Sequence, residues 1–177
     1  MIKKFLMLSV AIVLLAGCSA VRVNQDYAIG TDFNKYKTYA YFKQGIDEAD
    51  VSELDKKRIL RALDTEMQAK GFIKSTDPDV IISFFTDAQE RVDVFNNVGW
   101  GWGGWGWGGF GGWGWGNNVS RTTEGVLFID FIDAKSKDLI WQGIGRAALK
   151  SNPKEKVERT NLMVKQILEQ FPPQPEK

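Results

Sequence analysis

The sequence predicts an α+β fold in two layers, with a mostly antiparallel sheet and two amphipathic helices on one face. Three observations predict it. Five segments are rich in β-branched and aromatic residues, two segments repeat apolar residues at spacings of three and four, and the order of these elements is ββαβββα. The 177 residues, of which 44% are apolar and 25% charged, have the composition of one globular domain.

The amino-terminal half is predicted to form two strands and the first helix. Val21 begins a short alternating piece, and the aromatic and β-branched residues of 38–42 predict a second strand. Residues 45–48 predict a turn. The apolar residues within 59–67 recur at helical spacing, and Gly71 can adopt the left-handed conformation that ends a helix.

The carboxy-terminal half is predicted to form a long hairpin, a last strand and the second helix. Residues 80–85 are apolar at both parities, which predicts a central strand that continues to Phe95. Residues 125–132 predict its partner, and 139–146 predict a last strand whose glycines indicate a bulge or a close backbone approach. The sequence of 152–155 is typical of a helix start, with a cap residue, a proline and a glutamate in order.

Residues 99–116 form the tip of the predicted hairpin and contain eleven glycines, six of the seven tryptophans and one phenylalanine. Six indoles of ~200 Å² each would expose about 1,200 Å², well above the ~300 to 600 Å² of the largest patch on a typical monomer. We expect a tip that becomes ordered only against lipid headgroups, a glycan or an envelope protein; the alternative is a low-complexity spacer. The candidate contact residues are Trp100, Trp102, Trp105, Trp107, Phe110, Trp113 and Trp115.

The amino terminus predicts export and lipid attachment. Residues 1–17 have a basic start and a twelve-residue apolar run, which is too short to span a bilayer and is typical of a signal peptide. The sequence Leu15-Ala16-Gly17-Cys18 resembles the lipobox of bacterial lipoproteins, which implies that Cys18 is acylated and becomes the first residue. Ser19 resembles the residue that permits sorting to the outer membrane in enteric lipoproteins. We therefore expect a mature domain of 18–173 with a loose tail at 174–177, anchored in the outer membrane and facing the periplasm.

Charge and composition exclude several classes of function. The net charge of +1 becomes −1 once Lys3 and Lys4 are removed, because 21 basic residues then face 22 acidic ones, and this balance predicts no nucleic-acid partner. The chain has no histidine and Cys18 is its only cysteine. Nucleophile sites that need histidine, the usual zinc sites and an internal disulfide are therefore excluded within one chain. We expect no cofactor, no metal and no catalytic residue.

Asp130 is the candidate for a catalytic role, since it lies in an otherwise apolar strand. A buried carboxyl group could act as a general acid with a raised pKa. The structural alternative is that it accepts hydrogen bonds from a neighbouring strand or loop, or pairs with Arg146 or Lys150. Trp141, the one tryptophan outside the tip, is expected in the core, and Asp77 and Asp79 are explained by turn chemistry.

Several short blocks together resemble a family of small bacterial envelope lipoproteins catalogued as domain of unknown function 4136. The resemblance runs from about Val21 to Pro173 and implies an anchored α+β envelope domain, without transferring any catalytic residue. The blocks that carry it are the run from Asp32 to Tyr41, Lys70-Gly71-Phe72, Pro78-Asp79-Val80, Leu127 to Lys135, Leu139 to Gly143, and Phe171-Pro172-Pro173.

These observations favour a non-enzymatic outer-membrane lipoprotein, a periplasm-facing binding or accessory module whose Trp/Gly tip contacts membrane, glycan or an envelope partner. Two alternatives remain open. A carboxylate-dependent enzyme acting on the cell wall would need no histidine, only two acids at a fixed separation. A structural protein that assembles through its tips is the other.

Overall fold

The computed structural model describes residues 21–94 and 119–174, which form a six-stranded mixed sheet with three helices. The order of strands across the sheet is β1-β6-β5-β4-β2-β3. The strands are β1 (Val21–Tyr27), β2 (Thr38–Tyr41), β3 (Ile73–Lys74), β4 (Val80–Val94), β5 (Val119–Asp133) and β6 (Leu139–Ala148). The helices are α1 (Lys43–Asp47), α2 (Glu53–Ala69) and α3 (Pro153–Leu168), and a 3-10 turn covers Phe33–Lys35.

The predicted α+β fold is confirmed, and its element order needs two corrections. Residues 45–48, predicted as a turn, lie largely within α1, and the short strand β3 was not predicted. Gly45 permits the close contact between α1 and β4, because a side-chain carbon at this position would lie 2.8 Å from the Ser83 hydroxyl oxygen. The absence of a side chain lets α1 lie directly on the sheet, which no local pattern reveals.

Most of the sheet is antiparallel, as predicted, but its β2 side is parallel. β4, β5, β6 and β1 pair antiparallel, whereas β2 pairs parallel with both β4 and β3. The parallel pairing follows from the connection between β2 and β4, which passes through α2 and returns the chain in the same direction.

The two long helices pack against each other and against one face of the sheet. The buried apolar residues of α2 and α3 belong to one cluster with alternate residues of β4 and β5. α3 approaches β6 closely: a side-chain carbon on Gly143 would lie 2.3 Å from Ile167 Cγ2, and one on Gly145 would lie 2.7 Å from Ile167 Cδ1. The close approach predicted for these glycines is therefore confirmed.

Helix ends follow the local signals in the sequence. Ser52 Oγ accepts a hydrogen bond from the Asp55 N–H, and the Asn152 side chain accepts one from the Lys154 N–H. At the end of α2, Gly71 has a φ of +82° and the Phe72 N–H donates to the Met67 carbonyl at 3.0 Å. This is the Schellman arrangement that only a left-handed residue permits at low cost.

Candidate functional site

The sheet has two unlike ends. At one end β4 and β5 stay paired, residue for residue, to Val94 opposite Val119, while β6 stops at Ala148 opposite Glu124. Five residue pairs, 90–94 with 119–123, therefore continue as a two-stranded hairpin beyond the rest of the sheet. At ~3.4 Å per residue this extension is about 17 Å long. We call this the hairpin end, and residues 95–118 connect its two strands.

The amino terminus of the domain lies at the same hairpin end. β1 begins there, with Val21 paired with Ala147 at the end of β6. Cys18 precedes Val21 by three residues, a separation that an extended chain limits to about 11 Å. The chain that leads to the predicted lipid attachment point therefore enters the sheet at the hairpin end. Strands β4 and β5, which lead to residues 99–116, extend from the same end.

A groove of ≈ 560 Å³ opens at the hairpin end between the sheet and the first turns of α2 and α3. This volume is in the range of ligand pockets, which cover ~300 to 1,000 Å³. Its floor is made by small and apolar residues of β4, β5 and β6, and its walls by the two helices. The lining includes Ala88, Leu127, Ala147, Ile59, Thr160 and Met163.

Charged side chains at the rim of the groove are of both signs. Lys150, Lys156 and Arg159 line it together with three aspartates, Asp50, Asp55 and Asp87. Lys156 Nζ lies 3.4 Å from a carboxylate oxygen of Asp55, and Lys150 Nζ lies 3.1 Å from Glu155. The lining therefore carries no net charge, so it does not select an anion.

Asp55 is held in its charged form. Burial opposes the charge, but hydrogen bonds from Ser52 and Arg58 and the charge of Lys156 lower the pKa of Asp55 below its ordinary value. A carboxyl group with a lowered pKa is a poor general acid at neutral pH, because it has already lost its proton.

Asp130, the sequence's candidate acid, faces away from the groove. It is on the same side of the sheet as Ser83, its partner on β4, and its Oδ1 accepts a 2.7 Å hydrogen bond from Gln142 Nε2 on β6. Burial raises the pKa of Asp130, and the Gln142 bond opposes that rise. The hydrogen bond from a neighbouring strand is thus the arrangement found, and Asp130 does not meet the groove carboxylates.

We call the opposite end of the sheet the Tyr36 end. Carboxylates there accept hydrogen bonds that hold the loops on the sheet. Tyr36 Oη donates to Asp133 Oδ2 at 2.7 Å, and Asp133 Oδ1 accepts from the Lys135 and Ser136 N–H groups. These hydrogen bonds, with the one from Tyr36 contributing most, lower the pKa of Asp133 well below its usual range. Asp133 was not among the candidate site residues predicted from the sequence.

Two more aspartates tie β2 to its neighbours. Asp79 Oδ2 accepts from the Lys37 N–H and from both the N–H and the hydroxyl of Thr38, and these bonds lower the pKa of Asp79. Tyr39 Oη and Tyr41 Oη each donate to Asp64 Oδ1 at 2.8 Å. The run from Asp32 to Tyr41 therefore has a structural role here.

Trp141 lies in the core, as predicted. Its side chain is fully buried against the rings of Phe131 and Phe171, with centroid separations of 5.0 and 5.2 Å. Its Nε1 donates to Gln25 Oε1 at 2.9 Å, which satisfies the one polar atom of the ring.

Cys18 and the seven aromatic residues of the predicted tip, from Trp100 to Trp115, lie outside the described residues. Within 21–94 and 119–174, none of the helices combines the length and the apolar character needed to cross a membrane. The same ranges contain no cluster of three or more Asp, Glu, Cys or His side chains arranged to hold a metal ion.

Comparison with known proteins gives a family and a fold. The profile of a family described as "Domain of unknown function (DUF4136)" matches residues 23–173. A crystal structure of a PDZ domain protein from Parabacteroides distasonis is similar with a TM-score of 0.53 and 15% identity over 96% of this chain. The chain spans 40% of the length of that structure's chain. No curated protein matches.

Two structures of a PelC dodecamer from Paraburkholderia phytofirmans are similar at a lower level. Each is 9% identical over 84% of this chain, with TM-scores of 0.47 and, for a variant, 0.43. The match covers 95% and 94% of those chains.

Proposed function

The chain belongs to the DUF4136 family, whose function is unknown, and from its own residues we propose a lipid-anchored, non-enzymatic envelope module. In this proposal Cys18 is acylated and holds the domain at the outer membrane, facing the periplasm. The segment 99–116 then contacts the same membrane through its tryptophans.

One observation carries the proposal: the chain enters the sheet at the hairpin end. Val21 is paired with Ala147 there, and β4 and β5 extend about 17 Å past the sheet at that end. A lipid on Cys18 lies within about 11 Å of Val21 along the chain, so the anchor and the hairpin approach the bilayer together. Tryptophan is the side chain most favoured at the membrane interface, which makes lipid headgroups the surface that fits this arrangement.

The chemistry of the described residues supports binding in preference to catalysis. An enzyme of the carboxylate type needs one acid that keeps its proton and a second one close by. The carboxyl group with a raised pKa, Asp130, lies on the opposite face of the sheet from the groove, where the pKa of Asp55 is lowered. The side chains of Asp133, Asp79 and Asp64 already accept hydrogen bonds from groups of the chain itself.

The proposal is tested with vesicles that carry the anchor. The chain from Cys18 onward is coupled through its only thiol to a maleimide lipid in vesicles, and tryptophan emission is recorded with and without brominated lipids. We expect a blue-shifted emission that brominated lipids quench, because the six indoles of 99–116 reach the interface.

The matched control replaces these six tryptophans by serine and leaves Trp141. The ring of Trp141 is buried in the core, so brominated lipids should not quench its emission. Equal quenching in the parent and in this variant would overturn the lipid contact. A blue shift produced by peptidoglycan fragments and by no vesicle would assign the tip to glycan instead. Replacing Cys18 by Ala tests the anchor separately, since the protein should then leave the membrane fraction.

A further inference from the structure

The groove at the hairpin end lies beside the point where the anchored chain enters the sheet. We propose that this groove holds an acyl chain attached to Cys18 whenever no bilayer is present to take it. The inference rests on the proposed function for the acylation of Cys18, and it adds a binding site for the lipid within the domain itself.

The position of the amino terminus carries the first step. Val21 is the neighbour of Ala147, and Ala147 forms part of the groove floor. Antiparallel partners lie ~4.5 to 5.5 Å apart, and only Ser19 and Ala20 separate Cys18 from Val21. An acyl chain on Cys18 therefore starts within reach of the groove without any rearrangement of the described residues.

The chemistry of the lining carries the second step. The floor residues Ala88, Leu127 and Ala147 are small or apolar, and Ile59 and Met163 add apolar side chains from the helices. Two of the rim cations, Lys150 and Lys156, already have carboxylate partners. An uncharged hydrocarbon matches this lining, whereas a phosphate would have to displace those carboxylates.

The side chains at the mouth of the groove favour the same occupant. Leu149 is 58% exposed and lies over Gly125, where a side-chain carbon would come within 2.6 Å of Leu149 Cδ2. Burying only four methylene groups favours the bound state about 200-fold. A bilayer can bury the whole chain, so it competes successfully with the groove and the two sites exclude each other for one acyl chain.

The single cysteine makes a direct test possible. The chain from Cys18 onward is coupled to a thiol-reactive sixteen-carbon chain that ends in an environment-sensitive fluorophore, and iodide quenching is measured in buffer without detergent or vesicles. We expect the fluorophore to be protected from iodide in the parent. We expect no protection when the same fluorophore is attached to Cys18 through a short water-soluble linker without the sixteen-carbon chain.

Two variants fill the groove from different sides and should abolish the protection. Ala88→Phe fills it from β4 and Thr160→Phe fills it from α3. The matched control is Gln89→Phe, which places the same exposed ring one residue along β4 on the opposite face, and it should keep the protection. Circular dichroism identifies any variant that does not fold, and the second groove variant then decides.

Protection that is unchanged in both folded groove variants would overturn the inference, because self-association would then explain it. Absence of protection in the parent would overturn it as well. Neither result bears on the proposed function, since the coupling is chemical and the anchor is tested by fractionation of the Cys18→Ala variant.

Discussion

The Tyr36 end and the hairpin end of the sheet differ in how closely loops and helices are joined to the strands. At the Tyr36 end Asp79 and Asp133 each accept at least three hydrogen bonds that close loops onto the sheet. At the hairpin end the groove separates the helices from the strands of its floor. Two buried side-chain oxygens have no hydrogen-bond partner among the described residues, the Thr86 hydroxyl at the groove and Gln170 Oε1 next to Phe171. Side-chain hydrogen bonds therefore hold loops on the sheet at the Tyr36 end, whereas the hairpin end keeps a groove surface that a ligand can use.

The aromatic core deepens this contrast. Phe171, just after α3, packs its ring against Phe33, Phe131 and Trp141, with centroid separations from 4.5 to 5.6 Å. On the other face of the sheet Phe85 stacks on Phe128 at 4.3 Å but remains 41% exposed. The same residue type therefore occupies a closed and an open environment, which allows a direct comparison.

The largest effect is expected from Phe171→Ala. Removing this buried ring deletes contacts with four aromatic side chains and leaves a cavity, which costs about 3–5 kcal/mol of unfolding free energy. Phe85→Ala serves as the matched change, and we expect it to cost about 1 kcal/mol because its ring is already partly in water. Urea unfolding followed by circular dichroism measures both. Equal losses would contradict the difference between the closed and the open aromatic environment.

A smaller, pH-dependent effect is expected from Asp133→Asn. The hydrogen bonds from Tyr36 and two backbone N–H groups favour the charged carboxylate, so the variant should lose about 1–3 kcal/mol at pH 7. Because the pKa of Asp133 is lowered in the folded state, this stabilisation is complete above the unfolded pKa of ~3.9 and is lost as the pH falls through the folded value.

The pH series has a control of opposite sign. The parent and Asp133→Asn should converge in unfolding free energy as the pH falls below about 4. The pKa of Asp130 is raised, so protonation of this group stabilises the parent, and the stability of the parent relative to Asp130→Asn should rise in acid. A fall of the parent relative to the variant in both series would mean that the hydrogen bonds of Asp133 are not the cause.

Local signals allowed much of this fold to be predicted. The cap at Asn152, the left-handed Gly71 and the burial of Trp141 each depend on residues a few positions away or on one side chain's preference for the interior. The parallel pairing of β2 and the helix α1 depend on distant partners. Gly45 lies on Ser83, 38 positions later in the chain, and such contacts have no local periodicity.

The candidate site was also predictable from the sequence only in part. The hairpin and the predicted lipid attachment at Cys18 follow from sequence, because continuous apolar runs and the lipobox are local patterns. The groove does not, since Ala88, Ala147 and Met163 are unremarkable residues that meet only when three elements pack. The one available signal was a small residue on each of three strands, since Ala88, Gly125 and Ala147 lie side by side in the sheet.

The smallest effect, and of opposite sign, is expected from removal of 99–116. The strand ends Val94 and Val119 leave 24 residues between them, and deleting 18 leaves six. Closing a loop four times shorter costs less entropy, so the domain should gain about 1 kcal/mol of unfolding free energy. Thermal melting of the soluble domain with and without the segment measures this difference.

A loss of cooperative melting would mean that the tryptophans of 99–116 belong to the core, and the hairpin end would then be a folded region in its own right. With melting retained and vesicle binding lost, the two ends of the sheet would be separated experimentally into one that maintains the fold and one that contacts the membrane.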